Sequence, residues 1–132
     1  MARRDTEPRT LTPLPALETW REQLRRGGLD LAILLSVSST ARYGLEIIRH
    51  LQASTDLVVT EGTIYPILAR LTSSGLVEAE WVAGETPHPR KYYRLSGEGR
   101  KALATMIGHW TSFRRKIDRL IEREKGSGDE TE

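Results

Sequence analysis

TEGTIYPILARLTSSGL, the stretch from Thr60 to Leu76, has the pattern of one helix with two unlike faces. Ile64, Ile67, Leu68 and Leu71 fall at i, i+3, i+4 and i+7, the spacing of a buried stripe. At about 100° per residue the opposite side carries Gly62, Pro66, Ala69 and Ser73. Thr60 suits an N-cap, Glu61 the positive end of the helix dipole, and Gly75 a natural stop. The outer side is small and uncharged, with Thr63, Tyr65 and Arg70 on its flanks. That shape lies close against a polyanion, but an ordinary surface helix has the same period, and the pattern leaves both open. Pro66 breaks a local rule. It removes the hydrogen bond to Gly62 and costs about 3 kcal/mol in a regular helix interior, and such breaks fall where function or packing demands them.

Outward from this helix, the 132 residues leave room for one domain and an appendage. No apolar run approaches the roughly 20 residues that cross a bilayer, and the N-terminus, MARRDTEPRT, lacks the apolar segment of a secretory signal. There are no cysteines, which excludes disulfides and thiolate metal sites and fits a cytoplasmic protein. The net charge of +2 is uninformative, but its distribution is not. Between His88 and Lys101 five basic residues (Arg90, Lys91, Arg94, Arg100, Lys101) face one acid, Glu98, a local patch suited to a polyanion.

Residues 1–16 form a flexible arm in which Arg3 and Arg4 are candidates for a minor groove, with plain solvation as the simpler outcome. Leu17, Trp20 and Leu24 mark one helical face, and the apolar run from Leu29 continues it through the middle of the domain. Gly27 and Gly28 imply either one bent helix, which is preferred, or two that meet. Tyr43 to Ala53 forms the next helix, with Leu45, Ile48 and Leu51 inward. After Gly75 the period becomes two: Val77 to Val82 and Lys91 to Leu95 are strands joined by a turn-rich Ala83–Pro89. Three helices followed by a hairpin with a cationic return strand define a winged helix-turn-helix, a mainly α fold with a small β-hairpin, over residues 17–96.

Ser96 caps a last helix over 97–125, with Gly99 loosening its first turn and a disordered acidic tail expected over 126–132. Leu103, Met106, Trp110, Phe113, Ile117 and Leu120 hold consecutive a/d positions of a heptad, and Ile107 and Ile121 widen the seam. This stripe predicts a dimer interface with a second copy, a homodimer of two-fold symmetry; folding back on the chain's own first helix is the competing arrangement. The Arg114-Arg115-Lys116 run is read as solvated surface.

These residues resemble the PadR-like transcriptional regulators, in the short-tailed subfamily whose extra domain is a single helix. The resemblance covers roughly Leu24 to Leu120. It rests on Leu24-Arg-Arg-Gly27, Tyr43-Gly-Leu-Glu-Ile-Ile48, Gly62-Thr-Ile-Tyr-Pro66, Arg70-Leu71, Gly75-Leu-Val77, Trp81, Arg90-Lys-Tyr-Tyr-Arg-Leu95 and Gly99. It implies a bacterial dimer that binds a palindromic operator and represses nearby genes. Such dimers often lay the final helix on the partner's first helix. The chain departs from the family at Glu61, where Pro is common, at Gly28 and in its long arm. An acid at 61 can accept from cytosine N4, or simply stabilise the helix start.

The expected partner is double-stranded DNA. Thr60, Glu61, Gly62, Thr63, Tyr65 and Pro66 present the recognition helix to the major groove. Arg70, Arg90 and Lys91 supply ionic contacts, with His88 at the hairpin tip beside the flanking groove. Tyr43 is either a phosphate donor or a half-buried aromatic cap. Trp110 is either one wall of a flat cavity at the two-fold axis, where short-tailed relatives take small aromatic or drug-like effectors, or filler of the dimer core. No cofactor or metal is expected. Enzyme function is the competing class, but His50, His88 and His109 fall on separate elements and no catalytic set converges. A winged helix used as a protein-interaction module is the second alternative.

Overall fold

The computed structural model describes residues 14–84 and 87–131, with the side chains of residues 15–84 and 87–126. The chain folds as α1 (Leu14–Ser36), β1 (Arg42–Tyr43), α2 (Gly44–Thr55), α3 (Glu61–Ser73), β2 (Val77–Val82), β3 (Arg90–Leu95) and α4 (Gly97–Thr131). The minor-groove role considered for Arg3 and Arg4, and the flexible arm over residues 1–13, lie outside the described residues.

Helix α1 is a single helix through Gly27 and Gly28, and it begins at Leu14, earlier than the expected Leu17. Pro15 fits there because first-turn N–H groups have no intrahelical partner. Leu29, Ile33 and Leu34 bury its second half and Val37 just past its end joins them, while Trp20 and Leu24 on the first half stay exposed. Helix α3 follows its sequence pattern closely. Ile64, Leu68 and Leu71 are buried and Ile67 packs against them, while Gly62, Pro66, Ala69 and Ser73 are exposed. Its end is a Schellman motif: Leu76 N–H donates to the Leu71 carbonyl and Gly75 N–H to that of Thr72, each at 3.0 Å. Gly75 supplies the positive φ of 81° that this closure requires.

One expectation is corrected, and two elements reach further than expected. Leu45, expected inward, is exposed, because α2 buries Ile47 and Leu51 instead and its inner stripe is displaced towards Ile47. The expected hairpin of β2 and β3 is present, and β1 extends it to a three-stranded antiparallel sheet of order β1-β3-β2, since Arg42 and Tyr43 pair with Tyr93 and Tyr92. Helix α4 runs on past the expected Lys125 to Thr131, as an established helix propagates at little cost and no Pro interrupts it.

The winged domain is joined to α4 by a tight corner. Ser96 donates its hydroxyl to the Gly75 carbonyl at 2.6 Å, and the same oxygen accepts from Gly99 N–H at 2.9 Å, the N-cap bond expected of it. Gly99 does more than loosen the turn. A Cβ there would collide with the carbonyl of Leu76 and approach its carbonyl carbon to 2.9 Å.

Candidate nucleic-acid interface

Asp56 to Thr60 joins α2 to α3 in the helix-turn-helix arrangement, with α3 on the outside. Thr60 has the extended backbone of an N-cap (φ −92°, ψ 163°), yet its side chain makes no cap bond. Its hydroxyl donates instead to that of Thr63 at 3.2 Å, so the two form a polar pair across the exposed first turn. Thr60 thus holds the expected N-cap position without a side-chain cap bond, and the positive end of the helix stays uncapped by that hydroxyl. Around Gly62 an added Cβ would meet only the Thr60 hydroxyl, at 3.9 Å. The outer face is therefore low because its residues are small.

A groove flanks that face on each side. The first, about 450 Å³, lies between α3 and the wing and is lined by Tyr43, Gly44, Tyr65, Trp81, Pro89, Arg90, Lys91 and Tyr93 among others. Tyr43 sits at the start of α2, where its N–H donates to the Glu46 carboxylate at 3.2 Å. Its ring meets the edge of Tyr92 at 5.4 Å and carries the Arg90 guanidinium 4.4 Å above it. Lys91 lies 5.6 Å from the Trp81 ring centre. These cations rest on aromatic faces, which orient them without neutralising them.

Tyr65 closes the groove floor against Gly44, with Cε1 and Cζ only 2.6 Å from where a Cβ at position 44 would stand. Burial raises the pKa of its phenol above the ordinary tyrosine value, and the nearby Glu61 carboxylate adds to this. Tyr93 behaves alike, raised first by burial and then by Tyr65. Both hydroxyls stay neutral donors at physiological pH.

The second groove, about 390 Å³, separates α3 from α1 and is lined by Glu22, Arg25, Arg26, Leu29, Thr63, Ile67 and Arg70. Arg70 was expected as an ionic contact. Its guanidinium makes two parallel bonds to Asp30 on α1, Nη1 to Oδ2 at 3.0 Å and Nη2 to Oδ1 at 2.9 Å. The basic run from Arg90 to Lys101 is likewise partly engaged within the chain. Arg94 pairs with Glu78 and Glu80, Lys101 with Glu98, and Arg100 donates to the Ser38 carbonyl. Arg90 and Lys91 remain at the groove, and His88 is exposed near the hairpin tip.

Glu61, Gly62, Thr63, Tyr65 and Pro66 thus share one exposed surface with Tyr43, Arg90 and Lys91. Gly44, buried beneath Tyr65, and Trp81 line the groove beside that surface, and Asp30 meets Arg70 on the α1 side; no interface role had been read for these three. A glycine in the first turn of a helix, where a better helix former would serve, was the available sign for Gly44.

On α4, Leu103 is buried and Met106 packs against the same core. Both were expected in the dimer seam; they belong to the chain's own core, because the first turns of α4 lie on the winged domain. Ile107, Trp110, Phe113, Ile117, Leu120 and Ile121 are 40–62 % exposed along the rest of the helix. Among the described residues no helix is long and apolar enough to cross a membrane.

The sequence pattern of the transcriptional regulator PadR-like family matches residues 33–105. An uncharacterized protein of Lysinibacillus sphaericus is 30 % identical over 104 residues, which is 77 % of this chain and 95 % of the relative. Among solved structures, a PadR family transcriptional regulator from Eggerthella lenta superposes with a TM-score of 0.71 at 30 % identity, covering 82 % of this chain and 94 % of its own. A PadR-like transcriptional regulator from Bacillus cereus gives 0.67 at 29 % identity, covering 75 % and 96 %.

Proposed function

The chain belongs to the PadR-like family of transcriptional regulators, a family of DNA-binding proteins, and on that premise we propose that it acts as a homodimeric, sequence-specific repressor of a palindromic operator in a bacterial cytoplasm. The observation that carries the DNA-reading part is the outer face of α3: exposed, uncharged along Gly62, Pro66, Ala69 and Ser73, and flanked by Tyr65 and the wing cations Arg90 and Lys91. A low face lets the helix backbone approach base edges in the major groove, while the wing cations take phosphates beside it. Tyr43 and Tyr65 contribute hydroxyl donors, and Glu61 an acceptor. His88 reaches the flanking groove.

The dimeric part rests on the bare stripe from Ile107 to Ile121, whose exposure in one copy leaves an apolar face to be covered. The exposed Trp20 and Leu24 on α1 form a second strip suited to a partner's α4. Trp110 stands in the stripe at 45 % exposure, and two such indoles across a two-fold axis would wall a flat site for a small aromatic or drug-like effector. Quenching of tryptophan fluorescence by planar aromatic compounds, absent in Trp110→Phe, is the expected sign of that site.

Selection of bound sequences from random duplexes tests the function. An inverted repeat whose affinity falls linearly in log–log form with salt is expected. Recovery of no preferred sequence, with salt-insensitive binding, is the outcome for a protein-interaction module.

A further inference from the structure

Helix α1 makes polar contacts to the last turn of the recognition helix and to the loop that leads into it. Where the chain leads into α3, Arg25 Nη2 donates to the Val58 carbonyl at 2.8 Å, two residues before Thr60. At the last turn of α3, Arg70 makes its two-pronged bond to Asp30. A planar guanidinium on a carboxylate fixes rotation as well as distance, which one point charge cannot do. Leu29 and Ile67 lie in the groove between these contacts. At about 100° per residue Trp20 and Leu24 sit on the far side of α1 from Leu29 and Ile33, and the structure leaves both exposed. One helix therefore holds α3 with one side and presents an uncovered apolar strip with the other.

We propose that Asp30 and Arg25 are positioning residues for DNA recognition, holding α3 at a set angle on α1 through Arg70 and the Val58 carbonyl, so that Arg70 serves this clamp rather than a phosphate. The inference rests on α3 being the helix that reads DNA. The clamp makes the angle of α3 depend on α1, and so on whatever covers Trp20 and Leu24. A two-pronged bond at the last turn governs tilt, and the Arg25 contact governs where the first turn stands.

The opposite assignment, in which Arg70 is a phosphate ligand held in reserve, differs in the sign of a mutational effect. The experiment measures affinity for the selected operator and for random duplex over a salt series in four proteins: wild type, Asp30→Asn, Arg70→Asp, and the double exchange Asp30→Arg with Arg70→Asp. Thermal melts are recorded beside each. The clamp predicts that Asp30→Asn weakens operator binding roughly three- to thirty-fold, the range of indirect coupling. Random duplex should be affected less, and the salt slope should not change. Arg70→Asp alone places two acids together and is the weakest binder. The double exchange restores operator affinity to within about threefold, with the slope still unchanged. A double exchange that binds worst of all, its slope lower by about one, overturns the proposal, because it shows Arg70 on a phosphate. Operator affinity that is unchanged or raised in Asp30→Asn overturns it equally. Failure of the wild type itself to bind any duplex removes the DNA-reading assignment, a result distinct from either.

Discussion

The phenol of Tyr65, on α3, lies against the backbone of Gly44, on α2, so closely that any side chain at position 44 must displace it. The obstacle is the far end of a movable side chain, not backbone. Gly44→Ala should therefore fold: alanine favours the first turn of α2 by up to about 1 kcal/mol, which offsets part of the displacement. It should still weaken operator binding by about tenfold or more, because the displaced phenol leaves the groove between helix and wing. Melting curves and duplex titrations on one preparation check both halves. Unchanged affinity would take Tyr65 out of the interface.

Gly62 makes the converse case. Its surroundings admit a methyl group with only the Thr60 hydroxyl near, at 3.9 Å, so Gly62→Ala has no steric cost in the free protein. Any loss of DNA affinity then reports how near the helix backbone comes to the bases. A loss of roughly 1–3 kcal/mol, comparable to one mismatched base pair, is expected, with stability equal or higher.

Gly99 is held by backbone. A side chain there drives into the Leu76 carbonyl, which also accepts the Ser96 N–H at 3.0 Å and cannot move freely. Gly99→Ala should cost about 1–3 kcal/mol in chemical denaturation, as overpacking does. Gly108→Ala, in open space on the same helix, should be neutral or stabilising.

Tyr93 ties stability to alkaline pH. Its buried phenol is raised above the ordinary value of about 10, mainly by burial and then by Tyr65. The unfolded chain thus ionises first. Tyr93 contributes nothing to the pH dependence below about pH 10, and stability then falls as pH climbs towards the raised folded value. Tyr93→Phe should flatten that fall. An identical alkaline slope in the variant would show the phenol to be irrelevant.

The fold was legible wherever one periodic face met one core. Ile64, Leu68 and Leu71 declared α3, Gly75 its end and Ser96 the next beginning, because each acts within a few residues of itself. Legibility failed where a contact spans the chain. Arg70 looked like a free cation because Asp30, forty positions earlier, is its partner only in space. Arg42 and Tyr43 are too short a strand to show a period, and only pairing with β3 makes them one. The heptad of α4 read as one seam, yet Leu103 and Met106 turn into the chain's own core, since a stripe does not say which neighbour covers it. For the candidate interface, the residue types on α3 were visible, whereas the Tyr65–Gly44 contact and the ring seats of Arg90 and Lys91 needed the sheet to be assembled.

Two copies joined through α4 should present two recognition helices to one duplex, about one helical turn apart. The most direct measurement is the mass of the complex with the selected operator, by sedimentation, for wild type and for Phe113→Glu, which places a charge on the most exposed ring of the stripe. Two protomers per duplex, binding together without a one-to-one species, are expected for the wild type. Phe113→Glu should give a folded monomer with affinity lower by at least about tenfold. A wild-type protein that is monomeric and binds one-to-one, or a Phe113→Glu variant that binds as well as wild type, would contradict this arrangement.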